Sequence, residues 1–245
     1  SDITLHTKLT PTAVDIKEAK ATAGKSSVEA GGTITNWSSK PNSTLQLKAD
    51  LRTSDLIAAA GEVSGLAPKG SLTVDGKVTV SGKSKKVRYI GSFAGKGLEY
   101  RQKDSHLPGF TDLTFAGRLG SSQAKINSFS VKAGSSRFSG NAKVLNALRR
   151  KAKEPIRFSA MIDADQLVAE EWQDPNKPKD ESFAPMLTAL KGLRGDANFT
   201  TKQLTFGEQN FQDFTTRIEL GENSLKVAPL SMKAFDGGVA VAGEL

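Results

Sequence analysis

His6 and His106 are the only imidazoles in this chain of 245 residues. Neither lies near a Gly-x-Ser-x-Gly turn, and neither has a second His at metal-ligand spacing. Both read more simply as surface histidines in loops. The nearest approach to paired carboxylates is Asp163 with Asp165, and Glu170 with Glu171. Two carboxylates can divide acid and base work when their surroundings split their pKa values. Here they stand at the end of an alternating run and in the first turns of an expected helix. Acidic groups there favour the helix dipole, so capping is the better reading. A calcium loop starting at Asp174 fails: position six is Lys179 rather than Gly, and position twelve is Pro185 rather than Glu. Gly91, Gly95 and Gly97 precede a strand rather than a helix, so they form no dinucleotide fingerprint. The absence of cysteine removes disulfides, thiolate zinc sites and cysteine nucleophiles. We therefore expect no catalytic residue, no metal and no cofactor, although catalytic groups can be scattered in sequence.

Charge is the next candidate for function. Lys and Arg total 34 against 26 Asp and Glu, for a net charge of +8. Two basic clusters stand out: Lys83, Lys85, Lys86 and Arg88, then Arg149, Arg150, Lys151 and Lys153. Proteins that bind nucleic acid by stacking interleave aromatic with basic residues. Tyr89 alone flanks the first cluster, and no aromatic lies inside the second. Solvated turns are the plain reading, contact with anionic lipid headgroups the second, and no nucleic acid is expected as a partner. Asn36, Asn42 and Asn198 begin glycosylation sequons, which matter only in a eukaryotic secreted protein.

The elements that would carry these residues show a period of two. Leu45, Leu47, Ala49 and Leu51 alternate with Gln46, Lys48 and Asp50. Phe214, Thr216, Ile218 and Leu220 alternate with Thr215, Arg217 and Glu219. Shorter runs include Leu72 with Val74, Val78 with Val80, and Leu113 with Phe115. Each run has one apolar side and one wet side, which favours an antiparallel meander. Asp75-Gly76, Leu119-Gly120 and residues 221–223 are expected turns. Three short helices are expected: residues 56–63 capped by Ser54 and Asp55, residues 165–172, and residues 182–190. The longest apolar run, Leu56 to Ala60, is far short of the ~18 residues of a membrane helix. With no initiator Met and no signal-peptide pattern, a fragment or processed product is expected.

An internal repeat is the most informative feature. Residues 43–56 resemble 155–167, with Leu45 over Ile156 and Leu56 over Leu167. Residues 23–34 lie over 133–144, and a third copy follows at 234–245. Residues 91–100 resemble 195–206. Residues 141–153 read as a basic helix by propensity. Their counterpart, residues 35–42, holds Trp37 and Pro41 and cannot be one, so both read as irregular hairpin connections. The expectation is a mainly β protein: a curved, mostly antiparallel sheet of groove or open-sandwich type with two or three short helices. Residues 1–245 form one region of two repeat units, approximately 14–123 and 124–245.

The C-terminal part of this pattern resembles the AsmA family of Gram-negative envelope proteins, which includes TamB- and YhdP-related proteins. Residues 183–196 are similar to the family's helix followed by a strand. Leu204, Phe206 and residues 214–230 continue it. Residues 233–243, with Gly237 and Gly238, are similar to its strand, Gly-Gly, strand ending. The resemblance covers roughly residues 14–245 and has no catalytic signature. It implies a non-enzymatic periplasmic protein, anchored in the inner membrane by a helix outside this sequence. It also implies a role in outer-membrane biogenesis and homeostasis, with phospholipid or another acyl-chain lipid as partner. Two repeat units are short for the family, so one segment of a longer protein is expected.

A curved sheet with one apolar face suits that role, because acyl chains can lie on it while headgroups stay in water. The candidate lining is Leu113, Phe115, Phe129, Val131, Phe158, Ile162, Phe199, Leu204, Phe206, Phe214, Ile218, Leu220, Leu225, Val227 and Met232. The plainer reading of each is an ordinary sandwich core. Two other functions stay open. One is an envelope scaffold that recruits protein partners at its sheet edges. The other is a carbohydrate- or nucleic-acid-binding β-protein.

Overall fold

The computed structural model describes residues 2–60, 65–84, 86–101, 107–145, 154–172, 192–221, 224–234 and 237–244. Alternation of aliphatic or aromatic with polar side chains makes about three quarters of these residues strand. The order begins β1 (Asp2–Leu9), β2 (Ala13–Ala23), β3 (Ser26–Thr35), β4 (Asn42–Arg52) and helix α1 (Thr53–Ala60). β5 (Ser71–Ser81), β6 (Lys86–Tyr100), β7 (Phe110–Gly120), β8 (Gln123–Ala133), β9 (Ser136–Leu145) and β10 (Ile156–Ala164) follow. Next come a short β11 (Leu167–Val168) and a 3-10 turn (Ala169–Trp172). β12 (Leu193–Phe206), β13 (Gln209–Leu220), β14 (Leu225–Ala234) and β15 (Gly237–Glu244) end the series.

Together they form one open, curved sheet of 15 strands in nearly sequential order. Neighbours are antiparallel except along β12, to which β10 runs parallel from Ile156 opposite Leu193 to Ala164 opposite Thr201, as does the short β11. A parallel pair needs a connection that returns along the strand length, and the two strands are separated in sequence by residues 165–192. β12 outruns β10, and β11 takes up the overhang, with Leu167 opposite Leu204. No break separates residues 123 and 124, because Leu119 pairs with Ala124 across β7 and β8.

Several local expectations change. The helix expected at 165–172 is instead β11 and the 3-10 turn. The Asp165 carboxylate accepts the Arg137 and Gln166 amides, each at 2.7 Å, which ties the chain to the start of β9. Leu167 and Val168 then pair with the β12 overhang. Asp75-Gly76 is not a turn but mid-strand in β5. Gly76 is there because Tyr89 crosses it: a Cβ would meet the Tyr89 hydroxyl at 2.8 Å. Residues 141–145 belong to β9. The connection at 35–42 is irregular, as expected. The helix expected at 182–190 and the remainder of 146–153 lie outside the described residues.

Bulges bend the strands without spoiling their sidedness. Ladder irregularities fall between Ile16 and Ala19, Gly95 and Leu98, Ile126 and Phe129, and Val227 and Leu230. In each case two residues intervene between residues of the apolar side, as Lys17 and Glu18 do, or Asn127 and Ser128. The extra residue lengthens the polar side of the strand. The strand therefore bends around its apolar side, and the apolar phase is regained after the bulge.

This sheet has little conventional core. The chain exposes 16244 Å², whereas a compact monomer of this mass would expose about 10,500 Å². Among the described residues the buried hydrophobic side chains are Leu98, Ala133, Ala164, Phe214, Leu220 and Leu225. Most other apolar side chains are half-buried by neighbours on their own face. Rings lying over glycines make that possible. A Cβ on Gly95 would come within 2.5 Å of the Phe115 ring, and one on Gly117 within 2.5 Å of Phe93. Gly95→Val should therefore destabilise the protein by about 1–3 kcal/mol in urea unfolding. The penalty should shrink in a Phe115→Ala background, and an unchanged penalty would break the link between ring and glycine.

Candidate functional site

Residues opposite each other in a ladder share a face. One row can be followed across the whole sheet: Ile3, Ala21, Val28, Ala49, Val74, Phe93 and Gly117. It continues through Ile126, Ala142, Ala160, Ala197, Ile218 and Val227. No side chain in this row carries a polar atom. Extending the same parity over the described strands β1 to β14 brings in hydroxyls such as Ser43 and Thr216, but no charged group. The charges all take the other parity or sit in the bulges.

The candidate lining residues lie on this face. Leu113, Phe115, Phe129, Val131, Phe158, Ile162 and Phe199 follow one another by register across β7, β8, β10 and β12. Phe214, Ile218 and Leu220 on β13 match Leu225 and Val227 on β14. Met232 neighbours Ser231, which pairs with Thr215 of the wet side, so Met232 takes the apolar side. Leu204 and Phe206 rejoin the face after a phase change near Asp213, whose φ is 51°. Past that point Gln203 and Thr205 both bond the Asn210 side chain on the wet side, and Leu204 pairs with Phe211. Exposure varies along the face: Phe214, Leu220 and Leu225 are buried, while Phe206 is 55% exposed.

The lining read from sequence starts too late. Phe93, Leu98 and Phe138 are on the same face, as is everything from Ile3 onward in the row above. Trp172, Phe138, Phe199 and Phe214 form a chain of ring contacts with centroids 5.7, 6.5 and 6.0 Å apart in turn. The alternation of Leu45, Leu47, Ala49 and Leu51 already held the signal for the N-terminal half. The intervening residues at bulges hid the continuity, because each shifts the period by one.

The acidic residues hold backbone. Gly24, Gly134 and Gly207 turn three hairpins with φ near 60° (60, 59 and 60°), at the first central position that favours glycine. Asp55 on α1 accepts the Lys25 amide and the Ser26 hydroxyl, both at 2.8 Å. Glu171 accepts the Ser135 amide at 2.9 Å, and Glu170 accepts the Gly207 amide. The 3-10 turn thereby clamps two neighbouring hairpins. This differs from the expected capping of a helix by its own acids. Asp163 accepts the Thr200 hydroxyl. His6 lies on β1 rather than in a loop, exposed and 3.3 Å from Glu18. His106 and residues 174–185 lie outside the described residues.

The wet face carries the charge. Lys20 and Glu29 meet across β2 and β3 at 2.6 Å, and Lys233 and Asp213 across β14 and β13 at 2.6 Å. Hydrogen bonding first, then charge, raises both lysines above their ordinary pKa and lowers Glu29. Such exposed pairs contribute little stability. An open depression of about 530 Å³ on this side is bordered by charges of both signs, including Glu29, Lys48, Asp75 and Arg118. Of the basic clusters, Lys83 sits in the turn before β6, and Lys86 and Arg88 begin that strand. Lys85 and residues 149–153 lie outside the described residues. Among the described residues no three His, Asp or Glu side chains are placed to hold a metal ion. No described helix is long and apolar enough to cross a membrane.

No protein-family model matches the chain, and no curated protein or solved structure matches it either.

The Asp55 clamp has a pH signature. The Ser26 hydroxyl, with the Lys25 amide, holds Asp55 below the ordinary carboxylate value against an opposing push from desolvation. A depressed carboxylate contributes stability above its unfolded pKa of ~3.9 and loses it as pH falls through the folded value. Asp55→Ala should lower Tm by about 2–4 °C at neutral pH. The gap should close in acid as the native carboxyl protonates. A gap that persists unchanged in acid would assign the effect to something other than the clamp.

Proposed function

We propose that this chain is a non-enzymatic, AsmA-like segment of a periplasmic protein that takes part in outer-membrane homeostasis by carrying phospholipid acyl chains on its apolar sheet face. The full protein is anchored in the inner membrane on this reading. The observation that carries it is the charge-free row from Ile3 to Val227, which no second layer covers among the described residues. At ~4.8 Å per strand the row is about 60 Å long. A bilayer's hydrocarbon core is ~30 Å thick, so one acyl chain reaches ~15 Å. The face has room for several chains in line.

The energetics favour sliding over capture in one place. Each buried methylene contributes ~0.8 kcal/mol, so partial contact already gives useful affinity. The row is built from aliphatic side chains, alanine, glycine and one ring, Phe93, which lies over Gly117 as Phe115 beside it lies over Gly95. A floor of that kind has no deep pocket to stop a chain. The charged wet face keeps the other side in water.

Charge placed on the floor tests the reading. Ile162→Asp should cut the phospholipid retained after gentle detergent extraction at least tenfold, read by native mass spectrometry, because a carboxylate there meets hydrocarbon. Ser159→Asp, three residues earlier on the wet face of β10, should leave it unchanged. Protein that carries no phospholipid, or equal loss in both variants, would sink the proposal.

A further inference from the structure

The net charge of +8 has one source along the chain. From Leu113 to Lys153 the sequence holds nine lysines and arginines and no carboxylate. The remainder holds 25 cations against 26 carboxylates, a net charge of −1. Five of the nine stand on β7, β8 and β9: Arg118, Lys125, Lys132, Arg137 and Lys143. All five are exposed, and the register puts them on the wet face.

One cross-strand row shows what is unusual here. Asp75 stands opposite Ser92, then Arg118, Lys125 and Lys143 oppose one another on three successive strands, and Ser159 and Asp196 follow. At several other places on the wet face unlike charges meet: Lys20 with Glu29, Arg217 with Asp196 and Glu219, Lys233 with Asp213. Among the described residues no carboxylate pairs with Arg118, Lys125 or Lys143. A second like-charged pair, Lys132 opposite Arg137, lies beside the Gly134 turn. Like charges directly opposed in a ladder destabilise it. The charge of these strands is left to water, salt or a bound anion.

The surroundings narrow the anion. On β8 and β9 the wet residues between the two groups are Asn127, Ser128, Ser130, Ser139 and Asn141. No ring interrupts the patch, and at ~3.3 Å per residue it runs about 20 Å along β8. Protein partners are held by aromatic and Arg anchors in desolvated pockets, and single-stranded nucleic acid by stacking on rings. Neither device is present on these strands. A bilayer surface needs neither, because it offers phosphate at every point, and each basic residue near it contributes about fivefold in affinity. The wet side is also the outer side of the strand bends, open to a flat partner.

We infer that the wet face of β7, β8 and β9 docks the protein on an anionic bilayer surface, with Arg118, Lys125 and Lys143 against the lipid phosphates. Docking is separate from the carrying of acyl chains on the opposite face, and either can hold without the other.

Co-flotation with vesicles of phosphatidylcholine containing one quarter phosphatidylglycerol tests this at ~150 mM salt, where exposed charges more than ~8 Å apart are screened. The parent protein should float with these vesicles and not with pure phosphatidylcholine. The triple variant Arg118→Gln, Lys125→Gln, Lys143→Gln should bind about a hundredfold more weakly, three steps of about fivefold. Its Tm should not fall, since opposed like charges are removed. The variant Lys20→Gln, Lys48→Gln, Lys233→Gln loses the same charge beyond the screening distance and should stay within about threefold of the parent. Arg118→Lys, Lys125→Arg, Lys143→Arg keeps the charge and should bind as the parent does, because a bilayer reads charge rather than fork geometry. No flotation of the parent, equal flotation with pure phosphatidylcholine, equal weakening in both glutamine variants, or loss in the charge-keeping variant would overturn the inference. So would calorimetry in which inorganic phosphate binds a protein that ignores anionic vesicles. The Arg118, Lys125 and Lys143 glutamine variant should still retain phospholipid in native mass spectrometry, so loss of docking and loss of carrying are told apart.

Discussion

Among the described residues no second layer covers the sheet, so its apolar side is shielded by that side's own residues. That constraint governs this chain. An ordinary sandwich buries one face against another sheet about 10 Å away. Here the shielding comes from bending and from rings laid flat. Intervening residues at the bulges lengthen the wet side, so the strand bends around the apolar side. Phe115 over Gly95, Phe93 over Gly117 and Tyr89 over Gly76 cover backbone that would otherwise be bare. Among the described residues few side chains are fully buried, yet a continuous uncharged surface survives from β1 to β14.

The same constraint explains where the acidic residues went. A long meander has many hairpin turns, and each turn amide must be satisfied or left to water. Asp55, Glu170 and Glu171 answer this locally, each reaching from the connection after a strand to the turn of a hairpin. They hold the ends of the sheet together at the point where α1 and the 3-10 turn leave it. Of the carboxylates that looked like candidate acid–base pairs, Asp165, Glu170 and Glu171 accept backbone amides at the starts and turns of hairpins, and Asp163 accepts the Thr200 hydroxyl.

Function on this view resides in a surface rather than a constellation. A lipid-carrying face asks for absence of charge, low relief and length, and these are properties of the whole ladder. The repeat produces them by extending the face. Single residues matter here as departures: a charge on the floor, or a side chain where a ring needs a glycine.

Local alternation in the sequence determined the strands, their sidedness and the mainly β class, because a period of two is a property of neighbouring residues. It also held the triple hairpin, in the recurring segments that begin at Ala23, Ala133 and Ala234. Pairing across strands decided the rest. Asp75-Gly76 has turn composition, yet Tyr89, a residue of the next strand, makes it a crossing point. The segment after Asp165 has helical spacing, yet the β12 overhang and the Arg137 amide draw it into a short strand. The parallel step from β10 to β12 is invisible locally, since each strand looks the same in either direction. The continuity of the apolar face was hidden for a related reason: a bulge shifts the period along the chain, and the registry with the neighbouring strand restores it.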